Sequence, residues 1–132
     1  MIGLDTNVLV RVLADEDDPA ADRARAFLVS LQDISEAVWV NHVVLCELAW
    51  VLRSTRRFSR AEIADLIDHL LATRPLQVAD AELVATALQI FRGTRLDFAD
   101  ALIGVLNRRA GCATTYTFDR AAAETADFTA VS

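Results

Sequence analysis

Four acids stand where short apolar segments end or are interrupted. Asp5 follows Met1 to Leu4, Glu47 breaks the apolar run from Val43 to Leu52, Asp100 lies in the run from Asp97 to Ile103, and Asp119 follows Thr117 and Phe118. Carboxylates are the ligands of hard divalent cations such as Mg²⁺ or Mn²⁺, which take oxygen donors and keep positions open for water and phosphate. Brought together without a cation, the four would repel one another and raise each other's pKa. So either they do not meet, or a metal joins them. Joined, they would hold a cation with open positions for water and phosphate. The chain has only two histidines, His42 and His69, which read as helix packing or surface residues.

Each acid also has a reading without a metal. Asp5 could cap the helix that starts at Thr6, and Asp119 could cap the short helix from Arg120 to Glu124. Asp97 and Asp100 are spaced i, i+3, so one could cap a helix while the other meets its N-terminal dipole. We assign the cap to Asp97 and site duty to Asp100. Glu47 resists such a reading, because an unpaired charge inside a buried run costs free energy or forces a pKa shift. A partner Arg is its alternative.

Composition narrows the function classes. The 132 residues carry a net charge of −6, which argues against a broad electrostatic nucleic-acid binder. All 13 basic residues are Arg; without Lys there is no P-loop and no Schiff-base chemistry. The four glycines are too scattered for a dinucleotide-binding turn. No apolar run has the length of a membrane helix and no signal peptide opens the chain, so a cytoplasmic protein without a membrane partner is expected. Cys46 and Cys112 read as buried free thiols. A 54% hydrophobic content suggests association with a further protein surface. Arg11, Arg53, Arg56, Arg57 and Arg60 are candidate contacts for phosphates or for an acidic protein segment. Trp39 and Trp50 could stack on bases, but they are assigned to the core.

The elements that must position these residues follow from periodicity. Apolar runs alternate with helical stretches over a single domain, 1–132. That pattern gives an α/β fold of three layers, α/β/α, around a central parallel sheet of about five short strands. Strands are expected at Ile2 to Asp5, Val38 to Val40, Leu76 to Val78, Ala113 to Thr117 and Phe128 to Val131. Helices are expected from Asn7 to Ala14, followed by an acidic turn from Asp15 to Asp18, and from Pro19 to Leu31, Val43 to Arg53, Ser59 to Ala72, Asp80 to Phe91 and Asp97 to Ala110. Pro19 suits a first helical position, and Ser59 with Glu62 forms a capping box. Asp5, Glu47 and Asp119 would then lie near the carboxyl ends of parallel strands, where open sheets bind ligands.

The segments Met1-Ile2-Gly3-Leu4-Asp5-Thr6-Asn7-Val8-Leu9-Val10, Glu47-Leu48-Ala49-Trp50-Val51-Leu52, Asp97-Phe98-Ala99-Asp100-Ala101-Leu102-Ile103 and Thr117-Phe118-Asp119 resemble the motifs of PIN domains. Among those, the chain is most similar to the VapC toxins of type II toxin–antitoxin modules, over nearly its whole length. The resemblance implies a PIN-like fold and a Mg²⁺- or Mn²⁺-dependent endoribonuclease that is neutralised by a VapB-like antitoxin and forms a homodimer. It makes Asp5, Glu47, Asp100 and Asp119 the catalytic, metal-holding acids, with Asp97 as an accessory ligand. Thr6, Asn7 and Thr117 match polar positions that orient carboxylates or water. A PIN nuclease of RNA processing or DNA repair, and a non-catalytic interaction module, are the alternatives.

Overall fold

The computed structural model describes residues 1–14 and 17–132, so part of the expected acidic turn, Asp15 and Glu16, lies outside the described residues. The chain forms two compact units, Met1–Ala81 and Glu82–Ser132.

In the first unit, strands β1 (Ile2–Gly3), β2 (Val38–Val40) and β3 (Leu76–Val78) pair in parallel in that order. Ile2 stands opposite Val38, and Val38 opposite Leu76. Helices α1 (Thr6–Ala14) and α2 (Pro19–Asp33) connect β1 to β2, while α3 (His42–Ser54) and α4 (Arg60–Leu71) connect β2 to β3. Parallel neighbours require crossovers of this kind. Local chemistry sets the helix starts: Pro19 fills the first turn of α2 behind the Asp18 cap, whose carboxylate accepts the Ala20 N–H. Ser59 and Glu62 form both halves of the expected capping box on α4. The Ser59 N–H and then its side chain hold the Glu62 carboxyl below its ordinary range. The core is made by Val38 and Val40 of β2, Leu45, Leu48 and Leu52 of α3, and Ile63 and Ile67 of α4.

In the second unit, α5 (Ala81–Gly93) and α6 (Phe98–Arg109) precede β4 (Thr115–Thr117), the one-turn α7 (Arg120–Ala123) and β5 (Phe128–Ala130). β4 and β5 are parallel, with Tyr116 opposite Thr129. Phe91 and Phe98 meet edge to face at 6.2 Å between ring centroids, a geometry the ring quadrupoles favour. Gly111, at φ +102, closes α6; its N–H reaches the Arg108 carbonyl at 3.0 Å.

Gly104, in the middle of α6, is required by packing. A Cβ there would come within 2.9 Å of the Phe128 ring and 3.0 Å of the Asp127 Cβ. Asp127 cannot easily yield, since Arg108 Nε holds its carboxylate at 2.6 Å. Gly104→Ala should therefore cost about 1–3 kcal/mol in chemical denaturation. An unchanged midpoint would show that β5 moves away freely.

The expected α/β class is observed, and among the described residues five strands pair, all in parallel. The hydrogen-bonded ladders number three strands and two. Two burial assignments need correction. Trp50 is 67% exposed and Trp39 37%, so neither belongs to the core. Cys46 and Cys112 are free thiols, but Cys112 is exposed and Cys46 half-buried.

Candidate metal centre

Because β1, β2 and β3 run parallel, their carboxyl ends share one edge of the first unit. The chain leaves that edge through Leu4–Asp5, Asn41–His42 and Ala79–Asp80. Asp5 is exposed there, and its Oδ1 accepts the Thr6 N–H at 2.7 Å. A capping side chain reaches two or three residues ahead; the Asp5 carboxylate instead takes the adjacent amide. Thr6 is only 6% exposed, and its Oγ1 has no hydrogen-bond partner among the described residues. An orphaned hydroxyl beside an exposed carboxylate fits a site that binds something polar, since buried polar groups otherwise find partners. Asn7 is exposed next to it.

Asn41 caps α3 by accepting the Val44 N–H at 2.9 Å. His42 opens the helix and is spent on its neighbours: Nε2 lies 2.8 Å from the Ala79 carbonyl and 3.6 Å from Asp80 Oδ2. Asp80, expected from sequence to open a helix, has a left-handed backbone at φ +46 with its carboxylate turned toward His42. Glu47 lies in the second turn of α3, a helix packed on α1. It is exposed, not buried in an apolar run. The run wraps around the helix: Val44, Leu45, Leu48, Ala49 and Leu52 fill the inner face, while Val43, Glu47 and Trp50 form an outer stripe. Glu47 therefore faces solvent, and a partner Arg is not required to explain its place in the run.

The second unit gathers three acids around the start of α6. Asp97 occupies the N-cap position with extended backbone, yet its side chain makes no capping hydrogen bond. Asp97 thus takes the N-cap position expected from sequence, but its carboxylate does not make the expected capping bond. Asp100 lies in the first turn of α6, half-buried. Burial first, and then the charges of Asp97 and Asp119, push its carboxyl above the ordinary 3.8. Asp119 does cap α7: one carboxylate oxygen accepts the Ala122 N–H at 3.0 Å. Thr117 Oγ1 accepts the Asp119 N–H at 3.0 Å and so fixes the start of that turn. The cap uses Oδ1 only, and the charge still reaches Asp100.

The arginines divide into two groups. Arg11 pairs with Asp18, which also holds α2's first turn, so this guanidinium has a structural partner. The Ala20 N–H, and after it Arg11, lower the Asp18 carboxyl below its usual range. Arg53, Arg56 and Arg57 are exposed at the end of α3 and in the turn to α4, and Arg60 is half-buried at the start of α4.

The acids and the Thr and Asn side chains beside them offer hard oxygen donors, the chemistry a Mg²⁺ or Mn²⁺ ion selects. Among the described residues, no three His, Cys, Asp or Glu side chains stand close enough together to hold a metal ion. Like charges around Asp100 favour separation. In the first unit the orphaned Thr6 hydroxyl beside Asp5, and in the second unit the acidic field at Asp100, each suit a hard cation by donor type. Sequence reasoning missed the exposure of Trp50 beside Glu47. The signal was present in the spacing of Val43, Glu47 and Trp50, which is i, i+4, i+7 and defines one helix face.

A family model described as PIN domain matches residues 2–128 of the chain. Comparisons with curated proteins and with solved structures give no match.

Proposed function

The chain belongs to the PIN-domain family, whose members are in general metal-dependent nucleases, and we propose that it is a Mg²⁺- or Mn²⁺-dependent endoribonuclease and the toxin of a toxin–antitoxin module. The observation that carries the nuclease reading is the acidic field at the start of α6, where burial and then the charges of Asp97 and Asp119 raise the Asp100 pKa. A protein gains nothing in stability from such an arrangement; a cation offsets its cost. The proposed metal-holding carboxylates are Asp5, Glu47, Asp100 and Asp119, with Asp97 as an accessory acid.

When bound, the divalent ion supplies water activation at neutral pH and charge neutralisation on the phosphate. The chain's own residues do the positioning. Thr6 N–H fixes one oxygen of Asp5, and the Ala122 N–H does the same for Asp119. Each carboxylate therefore enters the reaction with one oxygen already oriented, which lowers the cost of ordering it. Thr117 orients the turn that carries Asp119.

A homodimer, a VapB-like antitoxin and a cytoplasmic RNA substrate complete the proposal. Phe27 and Val29 of α2 are 44% and 55% exposed, Ile34 beyond it 70%, and such side chains suit association. Among the described residues no helix is long and apolar enough to cross a membrane.

The deciding experiment is cleavage of total RNA by the purified chain in Mn²⁺ or Mg²⁺, in EDTA, and by Asp5→Asn. Cleavage should require the metal and be lost in the variant, with an unchanged circular dichroism spectrum. Full activity in EDTA, or in Asp5→Asn, would refute the mechanism. A small adjacent gene for a DNA-binding antitoxin would distinguish the toxin from an RNA-processing nuclease.

A further inference from the structure

The outer stripe of α3 and the segment after it bring three features together. Trp50 is 67% exposed and Val43 65%, although both could have been placed in the core of so apolar a helix. Between them in the stripe stands Glu47, one of the proposed site acids, three residues from Trp50 and so on the same helix face. Beyond Trp50 the chain turns strongly basic: from Leu48 to Arg60 there are four arginines and no acid, in a protein of net charge −6. Arg53, three residues after Trp50, borders the stripe; its side chain is exposed, and one of its terminal nitrogens lies a long 3.4 Å from the Phe58 carbonyl.

Resting on the ribonuclease reading, we propose that this face of α3 is the track for single-stranded RNA, with Trp50 stacking on a base next to the scissile linkage and Arg53 and Arg57 holding phosphates further along the strand. Helical rise places Glu47, Trp50 and Arg53 at intervals of about 4.5 Å along the axis. Acid, aromatic and guanidinium thus follow one another in the order that cleavage, base stacking and phosphate binding require. An indole accepts any base on its π-face, and stacking with flanking cations is how proteins bind single strands without reading their sequence. A protein partner fits this face less well. The centres of protein interfaces are depleted of charge, and here Glu47 would lie between Val43 and Trp50 at the centre of the contact. The local positive charge also complements a polyanion, whereas the remainder of the chain repels one.

The test uses the full chain in EDTA and a labelled single-stranded oligoadenylate of roughly 12 nucleotides, within the usual footprint of such tracks. Trp50→Ala should weaken binding about tenfold or more, and Trp50→Phe should restore most of it, because stacking on an aromatic ring is worth ~1–3 kcal/mol per base. In a Trp39→Phe background the remaining Trp50 emission should be quenched by the RNA. Arg53→Gln should lower the slope of log affinity against log salt by about 0.7, the value for one phosphate of a single strand left unneutralised. These readouts would not move if Trp50 and Arg53 only supported the fold.

Wild-type affinity in Trp50→Ala would overturn the track while leaving the nuclease reading intact, provided the wild type cleaves the same RNA in Mn²⁺. A lower sedimentation mass for Trp50→Ala with unchanged RNA affinity would overturn it in favour of a second copy of the chain. If the wild type neither binds nor cleaves RNA, the ribonuclease reading and the track fall together.

Discussion

Asp100→Asn should lower RNA cleavage by about 10²–10³-fold and, in the absence of metal, make the protein more stable at neutral pH. The two effects share one cause. The Asp100 carboxyl is raised above 3.8 by burial and by the charges of Asp97 and Asp119, so its ionised form is disfavoured in the folded state. Below pH 3.8 the group is protonated both folded and unfolded, and it costs nothing. As pH rises through the folded pKa, the folded protein holds a proton that the unfolded chain has already released, and stability falls. Above that pKa the loss is constant. Asparagine keeps the shape of the side chain and cannot ionise, so the variant should escape this decline. Urea denaturation in EDTA at about pH 4 and pH 7 measures it: the advantage of Asp100→Asn should be larger at the higher pH. Mn²⁺ should then stabilise the wild type more than the variant, because a bound cation relieves a repulsion the variant no longer has. An equal stability difference at both pH values would show that neither burial nor the charges of Asp97 and Asp119 raise the Asp100 carboxyl.

At Asp119 two roles coincide, and two substitutions separate them. The carboxylate caps α7 through the Ala122 N–H and also contributes negative charge to the acidic field. Asparagine is as good an N-cap as aspartate, whereas alanine removes the cap and costs typically ~1 kcal/mol. Asp119→Asn should therefore retain at least wild-type stability while cleavage falls by roughly 10² or more, in keeping with loss of an electrostatic contributor. Asp119→Ala should lose the same activity and unfold at lower denaturant. If Asp119→Asn remains active and only Asp119→Ala is impaired, Asp119 serves α7 alone.

The order and type of the elements and the identity of the motif acids are legible in the chain before any folding is considered. Helix starts can be read there because capping is local: Asp18 with Pro19, and Ser59 with Glu62, act within three or four residues of one another. Strands β2 and β3 were legible to the residue, and β1, β4 and β5 came out shorter than expected because strand length depends on the neighbour that pairs. The role of each acid was less accessible. Asp97 and Asp119 both stand at N-cap positions, and a sequence gives no means of telling which carboxylate turns toward its helix; the fold shows that Asp119 does and Asp97 does not. Glu47 and Trp50 lie within a long apolar run, which reads as uniformly buried. Packing imposes a different outcome, because a helix laid against one layer buries one face, and Leu45, Leu48 and Leu52 already fill it. Burial depends on what lies across from a side chain, and that partner is distant in sequence.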